Sequence, residues 1–232
     1  MTAQAPTATY EVTEIFTSIQ GEGLRLGMPS TFVRLSRCNL SCRWCDTTYS
    51  WKAGEMIEPM VMTPEQIRAA VHAPDVVLTG GEPMLQKLEP LLDLLDGHFV
   101  TVETNGTMFR PDRRVGLWSV SPKLGSSGQK PNLRVLGAYV AQVPDRLQLK
   151  FVISDREDLD AVKTLLASLD GATKAPIILQ PVGIPGESRD AYCEKLRKLV
   201  ETAILPDPFW EKYALRVLPQ FHKLLWGEKR GI

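Results

Sequence analysis

Short apolar runs alternate along the chain with amphipathic helical patterns, and the runs end repeatedly in Gly, Asn, Ser or Pro. STFVRLS (30–36) reads as a strand leading into a cysteine-rich loop, and DVVLTGGEP (75–83) as a buried strand breaking into a Gly-Gly turn. FVTVETNG (99–106), LWSVSPK (117–123), RLQLKFVIS (146–154) and APIILQPVG (175–183) read as further strands. Between them, TPEQIRAAVHA (63–73) carries a complete helix start: Thr63 as N-cap, Pro64 at the first helical position and Gln66 three residues on. PMLQKLEPLLDLLDG (83–97) has leucines at helical spacing, with Pro90 predicted to kink or interrupt it. DREDLDAVKTLLASLDG (155–171), capped by Asp155, and SRDAYCEKLRKLVETA (188–203) complete the helices, and YALRVLPQFHKLLW (213–226) is a last apolar stretch. The alternation predicts an α/β fold of βα units around a parallel sheet. About six units fit, short of the eight of a full barrel, so an incomplete (β/α) barrel with about six parallel strands is expected. The early YEVTEIFTSIQGEG adds a strand and loop over one mouth. Polar residues gather at the C-terminal ends of the strands, the face that carries the chemistry in such barrels.

Charge and length narrow the picture. The 232 residues hold 27 basic and 27 acidic side chains, so no basic excess argues for nucleic acid as a partner. No apolar run approaches the ~20 residues that span a bilayer. The polar start MTAQAPTATYEV lacks a basic region followed by an apolar one and reads as a flexible lead-in over 1–9 to a single domain spanning 1–232. Four cysteines without an export signal indicate a cytoplasmic chain, where clustered thiols serve as metal ligands more often than as disulfides.

Three of those cysteines, Cys38, Cys42 and Cys45, fall within eight positions as C-x3-C-x2-C. Structural zinc sites use four ligands, usually two paired C-x2-C turns, and only one such pair is present. His72, His98 and His222 stand alone on unrelated elements. Iron–sulfur clusters are held by thiolates, ordinarily four. Three thiolates leave one iron of a 4Fe–4S cube open to a small molecule that binds through its own amine and carboxylate. Cys193, within an amphipathic helix, reads as a buried structural thiol.

The three cysteines after the first barrel strand, with Trp44 just before the last, resemble the radical S-adenosylmethionine (SAM) enzymes. Gly80-Gly81-Glu82-Pro83 resembles that family's GGEP segment, and ETNG and SPK follow at the ends of the next strands. IQGEG, CDT, TGGEP, ETNG, SPK, LQP and QFHKLLW together are similar to one branch, the 7-carboxy-7-deazaguanine synthases. The likeness covers most of the chain and departs at the cysteine linker and the C-terminal tail. It implies contraction of 6-carboxy-5,6,7,8-tetrahydropterin to 7-carboxy-7-deazaguanine with loss of ammonia, on the way to queuosine and other 7-deazapurines. The cofactors it implies are a 4Fe–4S cluster, SAM and Mg2+. A glycyl-radical activating enzyme shares the cysteines and short barrel, and a non-catalytic zinc-binding interaction module is the reading from another class.

The resemblance assigns Cys38, Cys42 and Cys45 to the cluster, whose open iron binds SAM for reductive cleavage to a 5′-deoxyadenosyl radical. Trp44, Gly80, Gly81, Glu82, Ser121, Lys123 and Gln180 are the implied SAM contacts. The two glycines let backbone N–H groups approach the ligand's amino-acid end, and Glu82 is expected to accept from its ammonium. A tight turn, a surface lysine and a strand-end glutamine serving its own loop are the ordinary readings of the same residues. The substrate contacts implied are Ile19, Gln20, Gly21, Glu22, Arg34, Thr79, Glu103 and His222. Gln20 and Glu22 suit an aminopyrimidinone edge, and the Arg34 fork a carboxylate, with a strand-edge ion pair as its plain alternative. Thr47 of CDT is the implied Mg2+ contact with Asp46 behind it, although DTT alone reads as a cap or turn. Lys223 belongs with His222 to a tail that closes over the substrate. A homodimer and a low-potential electron donor such as flavodoxin are implied as partners, with neither nucleic acid nor membrane.

Overall fold

A computed structural model describes residues 8–169, 174–227 and 229–231. Most of the lead-in expected at 1–9, and the end of the helix expected over 155–171, lie outside those residues. Among the described residues, nine strands share one sheet in the order β3-β1-β2-β4-β5-β6-β7-β8-β9. β1 (Tyr10–Ile19) runs antiparallel to both β2 (Pro29–Leu35) and β3 (Met60–Met62), which makes it the added strand predicted ahead of the cysteines. From β2 onward every pairing is parallel, through β4 (Asp75–Gly80), β5 (Phe99–Thr104), β6 (Val115–Val120), β7 (Leu147–Ile153), β8 (Ile177–Pro181) and the short β9 (Leu215–Val217). The sheet stays open between β3 and β9, as an incomplete barrel requires.

Side chains alternate across each strand, so one face meets the helices and the other the barrel interior. Val76, Leu78, Val100, Val102, Trp118, Val120, Leu149, Phe151 and Leu179 join the apolar core, with Leu91, Leu92, Leu136, Tyr139, Val162 and Leu165 packed on them from the helices. The interior face carries the opposite register: Arg34, Thr79, Glu103, Lys150 and Gln180 from successive strands border a common cavity. That register is why the strands of this sheet are polar on alternate positions while remaining buried on both faces.

The helices start where the caps predict. In α1 (Pro64–Ala69) the Thr63 side chain accepts from the Gln66 backbone while the Gln66 side chain accepts from the Thr63 backbone, a closed capping box. Pro90 neither kinks nor interrupts a helix. It sits in the first turn of α2 (Glu89–Leu94), where its missing N–H costs nothing, and residues 83–85 form a separate 3-10 turn. α3 (Leu133–Gln142), capped by Asn132, is an element the sequence reading missed. α4 (Arg156–Ser168) is capped by Asp155, which accepts from the Asp158 backbone at 2.8 Å. α5 (Arg189–Lys198) continues into a π-helical turn over Leu199–Ile204. Cys193 on α5 is exposed, a correction to its expected burial. Tyr192, one residue earlier, occupies the buried face, and the next position of a helix turns about 100° away from it. The last apolar stretch divides into β9 and α6 (Phe221–Trp226).

Candidate active site

At the C-terminal ends of the strands lies a cavity of about 480 Å³, a volume suited to small ligands. Every site residue expected from the sequence borders it except Glu82.

The cysteine loop leaves β2 through Arg37, which adopts a left-handed backbone (φ 75°). Strand β4 delivers its Gly-Gly turn against this bend. The Gly81 N–H donates to Leu35 O at 3.0 Å and the Glu82 N–H to Arg37 O at 2.7 Å. A Cβ on residue 81 would lie 2.5 Å from the Arg37 carbonyl carbon and closer still to its oxygen. The close approach that Gly81 permits is therefore to the cysteine loop, and that of Gly80 is to Leu35 at the end of β2; the Gly81 and Glu82 N–H groups are not free for a ligand. Glu82 is likewise relocated. Its carboxylate is fully buried beneath the turn, accepting from Met84 N, Thr104 Oγ1 and Asn105 N at 3.0, 2.8 and 2.7 Å. It ties its own turn to the end of β5 and does not reach the cavity, where a ligand ammonium would be. Asn105 extends the brace, donating to Asn39 in the cysteine loop at 2.9 Å.

Cys38, Cys42 and Cys45 are half-buried and none forms a disulfide. Burial raises the Cys38 thiol's pKa, opposed by the Leu40 N–H that donates to its sulfur, and burial likewise raises that of Cys42, opposed by the nearby Lys123 ammonium. Cys45 Sγ accepts from the Trp51 indole at 3.2 Å and stands 3.5 Å from the Thr47 hydroxyl. Among the described residues no group of three or more His, Cys, Asp or Glu side chains could hold a metal ion, so no zinc ligand set is assembled. A 4Fe–4S cluster fits differently, because each thiolate binds its own iron and the sulfurs need not converge. Three unpaired thiols opening from one loop onto a ligand-sized cavity match that donor set. Thr47 borders the cavity without acidic neighbours arranged as a cage, so a hard cation there would draw its remaining oxygens from water and substrate.

Polar groups are arranged on opposing walls. On one, Arg34 Nε donates to Glu14 Oε1 at 2.7 Å, and the Tyr49 hydroxyl donates to the same oxygen at 2.9 Å. The guanidinium lies between the Phe16 and Tyr49 rings at 5.9 Å from each centroid. Burial pushes the Tyr49 phenol up to about 12 despite the neighbouring guanidinium, which keeps it a donor. The ion pair expected as the alternative for Arg34 is thus present, on Nε, and the side chain still borders the cavity. On another wall Lys123 Nζ donates to Ser121 Oγ at 3.0 Å and stands 5.6 Å from the Trp44 ring.

The remaining wall is acidic. Glu103 accepts from Gln20 Nε2 at 3.2 Å and Thr79 Oγ1 at 2.9 Å. Glu22 accepts from Gln180 Nε2 at 3.1 Å, from Gln220 Nε2 at 2.8 Å and from the Lys150 ammonium. The carbonyl oxygens of Gln180 and Gln220 are buried without a partner among the described residues. Such orphaned acceptors indicate a missing donor. His222 covers the loop: the Phe221 N–H donates to Gly21 O at 2.9 Å, and any Cβ on residue 21 would run into the His222 ring. Lys150 and Gln220 were missed in the sequence. The signal for Lys150 was present, since Gln148 and Lys150 occupy alternate positions of an otherwise apolar strand. Gln220 opens the QFHKLLW segment, but its bond to Glu22 was not foreseen, because that partner lies 198 residues away.

The chain is similar to known proteins over most of its length. The radical SAM superfamily model matches residues 33–199. A 7-carboxy-7-deazaguanine synthase from Pyrobaculum aerophilum is 34% identical over 97% of this chain and 98% of its own. One from Halobacterium salinarum is 35% identical over 94% of this chain and 90% of its own. Among solved structures, QueE from Escherichia coli superposes with a TM-score of 0.66 at 28% identity, covering 90% of this chain and 93% of that one.

Proposed function

The chain belongs to the radical SAM superfamily and, within it, to the 7-carboxy-7-deazaguanine synthases, and on that premise we propose how its residues divide the reaction. It is a lyase that converts 6-carboxy-5,6,7,8-tetrahydropterin to 7-carboxy-7-deazaguanine with release of ammonia. Cys38, Cys42 and Cys45 would hold the 4Fe–4S cluster, with SAM on the open iron. The chemistry these groups supply when bound is one-electron reductive cleavage of SAM.

The protein's part is binding and orientation. Ser121, Lys123, Gln180, Trp44, Gly80 and Gly81 form the SAM side, with Glu82 supporting it from beneath. Arg34 offers charge to the substrate carboxylate from one wall, while Glu22, Glu103 and Gln20 accept from the ring N–H groups on the other. Thr79, Ile19, Gly21 and His222 complete the enclosure. Thr47, backed by Asp46, would hold Mg2+, a hard cation that would supply charge beside the substrate. The observation that carries the reading is the shared cavity: three free thiols, an arginine and two carboxylates border one space of about 480 Å³.

Residues 1–232 act as one domain, an assignment supported by the single sheet. No helix among the described residues is long and apolar enough to cross a membrane, and a reducing cytoplasm suits the free thiols. The electron donor is assigned as flavodoxin or a similar low-potential protein, and the assembly as a homodimer through the edge strand β3, where Val61 is 68% exposed. Monomers alone in sedimentation velocity would reject the dimer. The functional test is anaerobic reconstitution followed by SAM, dithionite and the pterin. About four irons per chain and pterin-stimulated SAM cleavage are expected. Colourless protein holding one zinc would reject the reading.

A further inference from the structure

Lys150 is a buried charged side chain of the cavity wall that the assigned roles leave without a task. It stands on β7 between Gln148 and Val152 on the inward register, and its side chain is only 7% exposed. The ammonium donates to Glu22 Oε2 and lies 3.9 Å from Glu103 Oε1. Both carboxylates border the cavity, one delivered by the loop after β1 and the other by β5. Two negative charges thus face one positive charge in a space with little water. The wall keeps a net negative charge directed at the ligand, and the lysine fixes where it sits.

We propose that Lys150 is a positioning residue for the substrate: it holds the Glu22 and Glu103 carboxylates side by side, so that together they accept from the adjacent N–H donors of an aminopyrimidinone ring. The assignment rests on the functional reading above, which supplies a substrate with that donor array. Burial alone would push the Glu22 carboxyl upward, but the Lys150 ammonium, with His222 as a lesser influence, brings it well below the usual carboxylate range. Lys150 itself is raised: burial would lower it, and Glu22, Glu103 and the more distant Asp46 overcome that. Tyr192, packed behind Gln220, is the other titratable group that feels Glu22. The lysine therefore stays charged and keeps Glu22 charged beside it. Gln180 and Gln220 cannot replace it, since their amides are neutral donors to the other Glu22 oxygen.

Lys150→Met keeps an unbranched side chain, one atom shorter, and removes the charge. The pterin is titrated anaerobically onto iron-loaded protein between about pH 5.5 and 8.5, with SAM titrated in parallel. In K150M the acid limb of pterin binding moves up by at least about one pH unit, since an unpaired buried carboxylate protonates more readily. Below that limb affinity falls about tenfold per unit, while SAM affinity and iron content stay at wild-type values. The shift persists in an H222Q background, because the ammonium and not the imidazole bonds Glu22. K150R, with its charge retained, keeps the wild-type limb even where affinity drops. If K150M does not fold, K150R carries the test alone, and a displaced limb in that variant overturns the proposal. A K150M limb at the wild-type position, or equal losses at every pH, overturns it as well. Wild-type protein that fails to bind the pterin at any pH overturns the functional reading, and this assignment with it.

Discussion

Gly81→Ala adds one methyl group at the point where the Gly-Gly turn meets the cysteine loop. The new Cβ would lie 2.5 Å from the Arg37 carbonyl carbon and 3.0 Å from Cys38 N, both backbone atoms that cannot rotate aside. Ordinary carbon contacts begin near about 3.5 Å, so the loop must retreat by about 1 Å at the residue bearing the first thiol. A displacement of that size breaks the Gly81 N–H to Leu35 O and Glu82 N–H to Arg37 O bonds. At about 1 kcal/mol each, the loss is about 2 kcal/mol, or about 4–8 °C in Tm for a chain of this length. The assay pairs thermal unfolding of the iron-free protein with iron content after anaerobic reconstitution. G81A is expected to melt lower and to load well under the wild-type iron. Gly137→Ala is the control: it lies within α3 with no atom within 4 Å of the added Cβ, and it should raise stability by about 0.5–1 kcal/mol. G81A that melts and loads iron like wild type would refute the claim that this glycine exists for backbone contact with the cysteine loop.

Three further outcomes are expected. Arg34→Met removes the charge on the carboxylate-binding wall, so KM for the pterin should rise about 10–100-fold, as for loss of a charged hydrogen bond, while SAM affinity is retained; parallel loss of both ligands would contradict the division of walls. Thr47→Ala should raise the magnesium concentration needed for half-maximal turnover and leave the iron content unchanged, whereas loss of iron would show the threonine to serve the cluster. Glu22→Gln tests the buried pair through the pH dependence of urea unfolding. The Glu22 value is depressed, so its stabilisation is present above the unfolded carboxylate pKa and lost as pH falls below about 4; the Lys150 value is raised, so that part is lost only above about pH 10.5. The wild-type advantage over E22Q should be flat across neutral pH and shrink at both extremes, and a steady slope between about pH 6 and 9 would contradict the pairing.

The strands and the cysteine loop were legible because both are local signals: short apolar runs ending in turn residues mark β4, β5 and β8, and three thiols in eight positions need no tertiary context. α3 was missed although Asn132, Leu136, Tyr139 and Val140 mark it, since Gly128, Pro131 and Gly137 give the stretch the look of a loop. Glu82 was misassigned because the sequence shows a carboxylate beside two glycines and not the three donors, from Met84, Thr104 and Asn105, that fold around it. Cys193 was misplaced by a single helical step. The acidic wall was half visible: Glu22 and Glu103 sit in recognisable turns, but the ammonium between them comes from a lysine 128 residues from one of them. Contacts of that range follow from the parallel sheet and leave no mark in any local window.

The most direct measurement of the central claim is product analysis under anaerobic conditions, with reconstituted protein, SAM, reductant, Mg2+ and 6-carboxy-5,6,7,8-tetrahydropterin. The account predicts 7-carboxy-7-deazaguanine and ammonia in equal amounts, with neither formed when Cys38, Cys42 and Cys45 are replaced by alanine. Iron-loaded protein that cleaves SAM and leaves the pterin unchanged would contradict it.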